Sequence, residues 1–288
     1  MIFWYEGENN YRLLSLLGNV FTTELLDVPI SNRPVLQIFN DILSQRQTKT
    51  VDVLYSGGLD SECVLSSCLI NKIPVRAVTM RLLVNGCPMN THDLYYSEKY
   101  CREHGIEQKI VDLNVKDFFD NGKHLEYLLP YKIEEPHVAT HFWLFEQCEG
   151  FPVIGGDYSW PWQDRSRISP HRLSYSCYNR FLKDKGIHGI GNMLGHNLEA
   201  NLQFMKAHLI NHNPSMINRT KRAAFEYLGL GNFELRFRSY GWEHAHIMNK
   251  SQYKIELLKE IGIIKNRIIW NTVVGTVLNG PGSNDSFQ

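Results

Sequence analysis

The chain has 288 residues, of which 43% are hydrophobic and 21% are charged, values typical of a globular protein with room for one large or two modest domains. Its formal net charge is zero, so overall charge does not indicate nucleic-acid binding, although a local basic patch would be hidden in that average. No apolar run is long enough to cross a bilayer, and the N-terminus lacks the basic start and apolar core of a signal peptide. Because the six cysteines include no Cys-x-x-Cys pair, we expect reduced thiols, a cytoplasmic location and no membrane partner.

The first 33 residues form a short preface with weak strand or helix character. A helix start follows at Ser31-Asn32-Arg33-Pro34, where a capping residue precedes a proline in the first turn. The apolar residues after it recur at helical spacing, and we predict a helix that leads into the next strand.

The most informative stretch runs from Val51 to Leu65. It predicts a buried strand, a turn through Ser56-Gly57-Gly58 and a helix that begins near Asp60. Two adjacent glycines allow a sharp turn and a close approach of a ligand to the main chain, and the amides of the first helical turn attract negative charge. We therefore predict a polyphosphate site made by Ser56, Gly57, Gly58, Leu59, Asp60 and Ser61. A carboxylate beside phosphate requires a cation, so Asp60 predicts Mg²⁺.

Further along the chain, strand patterns at 74–80 and 108–113 enclose a helix pattern at 91–104, and a helix pattern follows at 136–148. Strands that alternate with helices predict parallel pairing and a doubly wound sheet, whose ligands bind at the carboxyl ends of the strands. His137 and His141 lie one turn apart and are open to three interpretations, namely metal binding, packing or substrate contact.

A second strand-and-glycine pattern occurs at Phe151 to Tyr158. An apolar strand ends in Gly155-Gly156-Asp157, and the parallel topology would bring Asp157 to the same sheet edge as Asp60. Two carboxylates there would make a cation site for Mg-ATP; the alternative is a surface turn capped by aspartate.

The remaining chain is predicted to be mostly helical from Ser174 onward, after a loop at 159–173 that is rich in aromatic and basic residues. A second aromatic and basic segment spans 236–246 and includes His244 and His246. The last nine residues, 280–288, resemble a flexible tail.

The sequence Ser56-Gly57-Gly58-Leu59-Asp60-Ser61 after an apolar strand resembles the pyrophosphate loop (PP-loop) of the ATP pyrophosphatase superfamily, the adenine nucleotide alpha hydrolase-like proteins. The Gly-Gly-Asp loop and the helical C-terminus are most similar to the synthetase domain of asparagine and β-lactam synthetases. The resemblance implies an α/β, HUP-like PP-loop fold at 34–173 and a helical acceptor-binding region at 174–279. Position 2 is Ile, where amidotransferases of this type carry a catalytic cysteine, and we expect no glutaminase domain.

The resemblance also implies roles for particular residues. Main-chain groups of Thr79 and Met80 would meet adenine, while Gly155, Gly156 and Asp157 would flank the pyrophosphate and its magnesium. The family has a further acidic residue where Tyr158 stands. Related synthetases place a lysine near the phosphates, and Lys221 is the preferred candidate. The other candidates are Lys183, Lys185 and Lys250.

We therefore predict an ATP-dependent, C–N bond-forming ligase with ATP and Mg²⁺ as cofactors and with Asp60, Asp157 and Lys221 as catalytic residues. It would adenylate a carboxylate or amide oxygen of a small-molecule or nucleotide acceptor and release pyrophosphate. An amine, or ammonia from a separate donor, would then displace AMP. One alternative is a PP-loop enzyme that modifies a nucleobase or nucleic acid, and another is a non-catalytic nucleotide-binding module.

Overall fold

The structure is a computed structural model that describes residues 32–46, 50–131, 133, 136–158, 171–211 and 217–234. Several predicted segments lie outside these residues: the preface up to residue 31, most of the 159–173 loop, the 236–246 segment with its histidines, Lys250 and the tail. Within the described residues no helix is long and apolar enough to cross a membrane.

A mixed sheet forms the centre of the described fold. Its strands are β1 (Val51–Leu54), β2 (Val75–Val84), β3 (Cys87–Pro88), β4 (Glu107–Asn114) and β5 (Phe151–Ile154). The parallel pairs are β1 with β2, β1 with β5 and β2 with β4, which places the long strands in the order β4-β2-β1-β5. The short β3 folds back and pairs antiparallel with the end of β2, a hairpin that the sequence analysis missed.

Nine α-helices are described around this sheet. They are α1 (Val35–Ser44), α2 (Leu59–Ile70), α3 (Thr91–His104), α4 (Val115–Asp120), α5 (Lys123–Leu128), α6 (Val138–Phe145), α7 (His171–Asp184), α8 (Leu198–Ile210) and α9 (Ile217–Tyr227). A 3₁₀ turn at Leu129–Tyr131 follows α5. The helix α3 has the predicted bounds, whereas α7 begins inside the segment predicted to be a loop.

Two apolar cores lie on opposite faces of the sheet. One packs α1, α2, α3 and α8 against Val51 and Val53, and the other packs α4 to α7 against Leu54 and Val78. Neighbouring residues of β1 thus point to opposite faces, as the two-residue period of a strand requires. All four residues of β1 and of β5 are buried, which is why these strands appear in the sequence as short continuous apolar runs.

This arrangement confirms the predicted fold class. The chain is an α/β protein with a doubly wound, mainly parallel sheet, followed in the described residues by a mostly helical part. The glycine-rich loop follows β1 and the Gly-Gly-Asp loop follows β5. Because β1 and β5 are adjacent and parallel, both loops lie side by side at the carboxyl ends of the strands.

Candidate active site

The glycine-rich loop joins β1 to α2. Gly58 is the N-cap residue of α2, and the first intrahelical bond runs from the Glu62 amide to the Gly58 carbonyl. The amides that precede Glu62 in the first turn therefore have no carbonyl acceptor within the helix and lie at its positive end. The Ser61 hydroxyl donates to the Gly58 carbonyl at 3.1 Å, while Ser56 is exposed. The loop can thus present backbone donors and one exposed hydroxyl to an anion.

The position of Gly57 explains why this loop needs glycine. Its φ is +77°, and a Cβ placed there would lie 2.7 Å from the Asp93 carbonyl oxygen of α3. A side chain at this position would be strained in conformation and would also overlap the main chain of α3.

Gly155 brings the loop after β5 against the start of α2. A Cβ on Gly155 would lie 2.8 Å from the Asp60 carbonyl oxygen and 2.8 Å from the Ser61 amide nitrogen. The two loops that the sequence singled out are therefore in main-chain contact, and only glycine permits so close an approach.

The side chain of Asn192 holds the next residues of that loop. Its Oδ1 accepts from the Asp157 amide at 3.0 Å and its Nδ2 donates to the Asp157 carbonyl at 3.0 Å. Gly156 has a φ of +69°, and a Cβ there would overlap the Asn192 side chain. The sequence analysis did not identify Asn192, since an isolated asparagine in the segment between two helices carries no distinctive pattern.

Lys221 of α9 connects the two predicted carboxylates. Its Nζ lies 2.9 Å from Asp60 Oδ2, 3.0 Å from Asp60 Oδ1 and 3.2 Å from Asp157 Oδ1. The Lys221 side chain is only 12% exposed. Burial alone would lower the pKa of Lys221, but Asp157 and Asp60 outweigh it and raise that pKa above its usual value. Lys221 therefore remains an ammonium ion.

Burial is the main cause that raises the pKa of Asp60, and the nearby Asp157 carboxylate adds to it, while Lys221 acts in the opposite direction. Two carboxylates face one ammonium in this cluster, so a further cation could bind beside them. Carboxylate oxygens beside a phosphate site are the donors that Mg²⁺ prefers, and Asp60 and Asp157 therefore fit that ion by donor type.

Tyr158 stands where the resemblance led us to expect another acidic residue. It is fully buried, and its hydroxyl lies 2.7 Å from Nδ1 of His208. Its ring packs against Phe204, and the Lys221 ammonium lies 5.8 Å from the ring centroid. Tyr158 is thus a core residue that also supports Lys221 by a cation–π contact, rather than a metal ligand.

A cavity of about 310 Å³ opens at the carboxyl ends of β1, β2 and β5. Most of the predicted nucleotide-binding residues line it, namely Ser56, Gly58, Asp60, Ser61, Met80, Gly155 and Gly156. Gly57 and Leu59 belong to the same loop, and Gly57 packs on α3. Thr79 is not a lining residue: it is fully buried, and its hydroxyl accepts from the Gln108 amide of β4.

Asn90 occupies the open edge of β2 beside Met80. Its Nδ2 donates to the Met80 carbonyl at 2.8 Å and its Oδ1 accepts from the Leu82 amide at 3.0 Å. The Met80 carbonyl predicted to meet adenine therefore already accepts one hydrogen bond, although a carbonyl oxygen can accept a second. Asn90 was missed because it bonds to the part of β2 that extends beyond the end of β1, and the sequence around Asn90 does not show where β1 ends.

The other sequence candidates have different surroundings. Lys183 is exposed. Lys185 pairs at 2.9 Å with Glu146, the C-cap residue of α6. His141 lines the cavity, and its Nδ1 lies 2.8 Å from the Tyr178 hydroxyl. Within the described part of the chain, no three potential ligands among His, Cys, Asp and Glu come together as a metal site.

No protein-family model and no curated protein matches the chain. Solved structures with similar folds include a protein described as a predicted subunit of tRNA methyltransferase from Methanocaldococcus jannaschii, with 16% identity over 74% of this chain and 88% of that one and a TM-score of 0.34. The U34-tRNA thiolase NcsA from Methanococcus maripaludis, solved with its [4Fe-4S] cluster, shares 14% identity over 80% of each chain, with a TM-score of 0.34. NMN synthetase from Francisella tularensis shares 10% identity over 81% of this chain and 95% of that one, with a TM-score of 0.31.

None of these three similarities reaches a TM-score of 0.5, so they assign no reaction, substrate or cluster to this chain. What its own geometry defines is a class: α/β proteins in which a glycine-rich loop after the first strand faces a second glycine–aspartate loop, with a lysine between their carboxylates.

Proposed function

We propose that this protein is an ATP-dependent ligase that forms AMP and pyrophosphate, similar in its reaction to asparagine synthetases. The observation that carries the proposal is the main-chain contact between Gly155 and the Asp60–Ser61 segment. The start of α2, with its backbone donors and the Asp60 carboxylate, lines the cavity, and Lys221 joins Asp60 to the Asp157 carboxylate beside it. That combination suits the pyrophosphate half of a triphosphate with its cation.

In this proposal, the first-turn amides of α2 and the Ser56 hydroxyl would bind the β- and γ-phosphates. Asp60 and Asp157 would hold Mg²⁺, which when bound neutralises phosphate charge and favours departure of pyrophosphate. Lys221 would offset the repulsion between the two carboxylates and stabilise negative charge that develops during the transfer.

The first bond change would be attack of a carboxylate or amide oxygen of the acceptor on the α-phosphorus. The bond between the α-phosphorus and the bridging oxygen breaks, and that oxygen leaves with pyrophosphate. In the second step an amine or ammonia attacks the activated carbon, and AMP leaves. The described residues act by positioning and charge neutralisation, since none of them needs to form a covalent intermediate.

The test is product analysis with ATP labelled in the α-phosphate, incubated with a panel of carboxylate and amide acceptors together with ammonium chloride or methylamine. We expect labelled AMP in equal amount to pyrophosphate. Labelled ADP as the product would show a different class of phosphoryl transfer. ATP binding by calorimetry without any pyrophosphate would instead support a non-catalytic nucleotide-binding module.

A further inference from the structure

Two buried residues flank the glycine-rich loop, and the proposed nucleotide chemistry gives neither of them a role. Tyr55 comes immediately before the loop residues 56–61, and Glu62 comes immediately after them. Tyr55 is 1% exposed and Glu62 is 2% exposed. Carboxylates are rarely buried unless hydrogen bonds satisfy them, so the place of Glu62 in the fold depends on its partners.

The two side chains are joined across the base of the loop. The Tyr55 hydroxyl donates to Oε2 of Glu62 at 2.7 Å in a buried position. That distance is the usual one for an O–H···O hydrogen bond, and an ionised acceptor makes such a bond stronger than a neutral one does. The bond therefore fixes the distance between the two ends of the loop. Backbone stiffness alone would not fix it, because the loop contains two adjacent glycines.

Tyr55 is itself held by the sheet and by α3. Its amide donates to the Val78 carbonyl of β2 at 2.9 Å. Its ring meets the ring of Tyr100 in α3 edge to face, with the centroids 5.9 Å apart, and it belongs to the core that contains Val51 and Val53. The Tyr55 hydroxyl is thus presented to α2 from a densely packed part of the fold, as buried tyrosine hydroxyls with a polar partner usually are.

Glu62 connects this bond to the phosphate-binding amides. Its own amide closes the first turn of α2 by donating to the Gly58 carbonyl at 3.0 Å, and the Ser61 hydroxyl donates to the same carbonyl at 3.1 Å. The orientation of the amides that precede Glu62 therefore follows the position of Glu62. Donors that are already aimed at a ligand lose less conformational entropy when the ligand binds.

We propose that Glu62 is a positioning residue: through its hydrogen bond with Tyr55 it holds the two ends of the glycine-rich loop together and so sets the affinity of the loop for phosphate groups. The ordering of the loop depends on the fold alone. The effect on affinity rests on the proposed function, because it requires the loop to bind the phosphates of ATP.

The alternative is a contact that stabilises the fold without affecting the loop, and a second bond of the same kind provides the comparison. The Tyr127 hydroxyl donates to Oε2 of Glu146 at 2.6 Å, and Tyr127 is 7% exposed. This pair joins α5 to the C-cap of α6, and the cavity lining includes neither residue. Tyr127→Phe therefore removes a tyrosine–glutamate bond of similar geometry away from the loop.

Three variants separate the hydrogen bond from charge and from stability. Tyr55→Phe removes the donor and leaves Glu62 without that partner. Glu62→Gln removes the charge but keeps an oxygen that can accept from Tyr55. The double variant, Tyr55→Phe with Glu62→Met, removes both members of the bond, so neither stays buried without the other. Such a paired change costs less stability than the removal of one partner.

The ordering of the loop is tested by amide hydrogen exchange of the full chain without nucleotide, followed by mass spectrometry of peptides that cover residues 56–62. We expect exchange in these peptides to be about tenfold faster in Tyr55→Phe and in the double variant, with peptides from β4 unchanged. Tyr127→Phe and Glu62→Gln should exchange near the wild-type rate. Equal exchange in the wild type and the double variant would overturn the role of the bond in the loop.

The effect on affinity is tested by calorimetric titration with a non-hydrolysable ATP analogue and Mg²⁺, together with urea unfolding of each variant. We expect Tyr55→Phe and the double variant to bind about tenfold more weakly, and Glu62→Gln to bind within about threefold of the wild type. Tyr127→Phe should keep the wild-type affinity even though it loses stability. Affinity that follows stability in all variants, Tyr127→Phe included, would refute the positioning role. A loss in Glu62→Gln as large as in Tyr55→Phe would refute it too.

This proposal and the proposed function fail in different ways. Analogue binding by the wild type without pyrophosphate release from any acceptor would contradict the ligase, and the variants would still decide the role of Glu62. Pyrophosphate release with unchanged affinity in the double variant would support the ligase and refute the positioning role. No analogue binding by the wild type would overturn the phosphate site and the effect on affinity together, while hydrogen exchange would still decide whether the bond orders the loop.

Discussion

Lys221 Nζ lies 2.9 Å from Asp60 Oδ2, although the two residues are 161 positions apart in the chain. The same nitrogen reaches Asp157, so one ammonium from α9 ties the carboxyl ends of β1 and β5 to the helical C-terminal part. Both stability and nucleotide binding should depend on this ion cluster.

Lys221→Met is expected to destabilise the fold by about 1–3 kcal/mol, because it leaves two partly buried carboxylates facing one another. Urea unfolding measures the change, and added Mg²⁺ should restore part of it. Lys185→Met, which removes a surface pair with Glu146, is the control and should cost less than about 1 kcal/mol. Equal sensitivity of both variants to Mg²⁺ would argue against a cation site at Asp60 and Asp157.

Gly155→Ala is expected to abolish ATP binding, since the new methyl group would push the loop after β5 away from the start of α2. Gly186→Ala is the comparison: its φ is +66°, but its Cβ would meet nothing within 4 Å. That variant should cost about 1 kcal/mol in stability from backbone conformation alone and keep its ATP affinity. Calorimetric titration with a non-hydrolysable ATP analogue measures both. Retained affinity in Gly155→Ala would show that the close contact is not needed.

Asn192→Ala is expected to lower the apparent affinity for Mg-ATP about tenfold or more, because Asp157 loses both main-chain contacts that hold it. Asn179→Ala provides a control nearby, since its side chain accepts from the Gly191 amide and does not touch Asp157. A similar loss in both variants would indicate general loosening of this segment instead of a specific effect on Asp157.

Asp52→Asn is expected to reduce stability without changing nucleotide affinity. The Asp52 carboxylate is fully buried in β1 and accepts from the Arg76 guanidinium and from the amides of Glu149 and Gly150. Its hydrogen bonds raise the pKa of Arg76. We expect a loss of about 2–4 kcal/mol in urea unfolding with an unchanged ATP affinity of the remaining folded protein, since Asp52 lies outside the cavity lining. A specific loss of affinity would contradict this separation of roles.

Alkylation with iodoacetamide at pH 8 is expected to modify Cys87 first. Cys87 is exposed, whereas Cys63, Cys68 and Cys101 are buried. Burial raises the pKa of Cys68 and of Cys101 to about 12, so very little reactive thiolate forms at pH 8. Mass spectrometry of tryptic peptides measures the order. Early modification of Cys68 would show that α2 opens under native conditions.

Much of the fold follows from short-range patterns. The apolar runs of β1 and β5 and the helical spacing of α1 and α3 report local burial directly, and the alternation of strands with helices predicts a parallel sheet. The predicted bounds of α6 and α7 were less accurate than those of α3. The β3 hairpin was missed because two-residue strands depend on pairing rather than on composition.

At the site, the sequence by itself determined the two glycine loops and the aspartates that follow them, because steric demands on glycine and the chemistry of phosphate binding restrict the residues allowed there. Only the tertiary structure decided which distant side chains complete the site. Lys221 was one of four lysine candidates, Asn192 and Asn90 carried no motif, and Tyr158 proved to be a core residue. Their roles arise from contacts between segments far apart in the chain, and such contacts leave no periodic signal in the sequence around them.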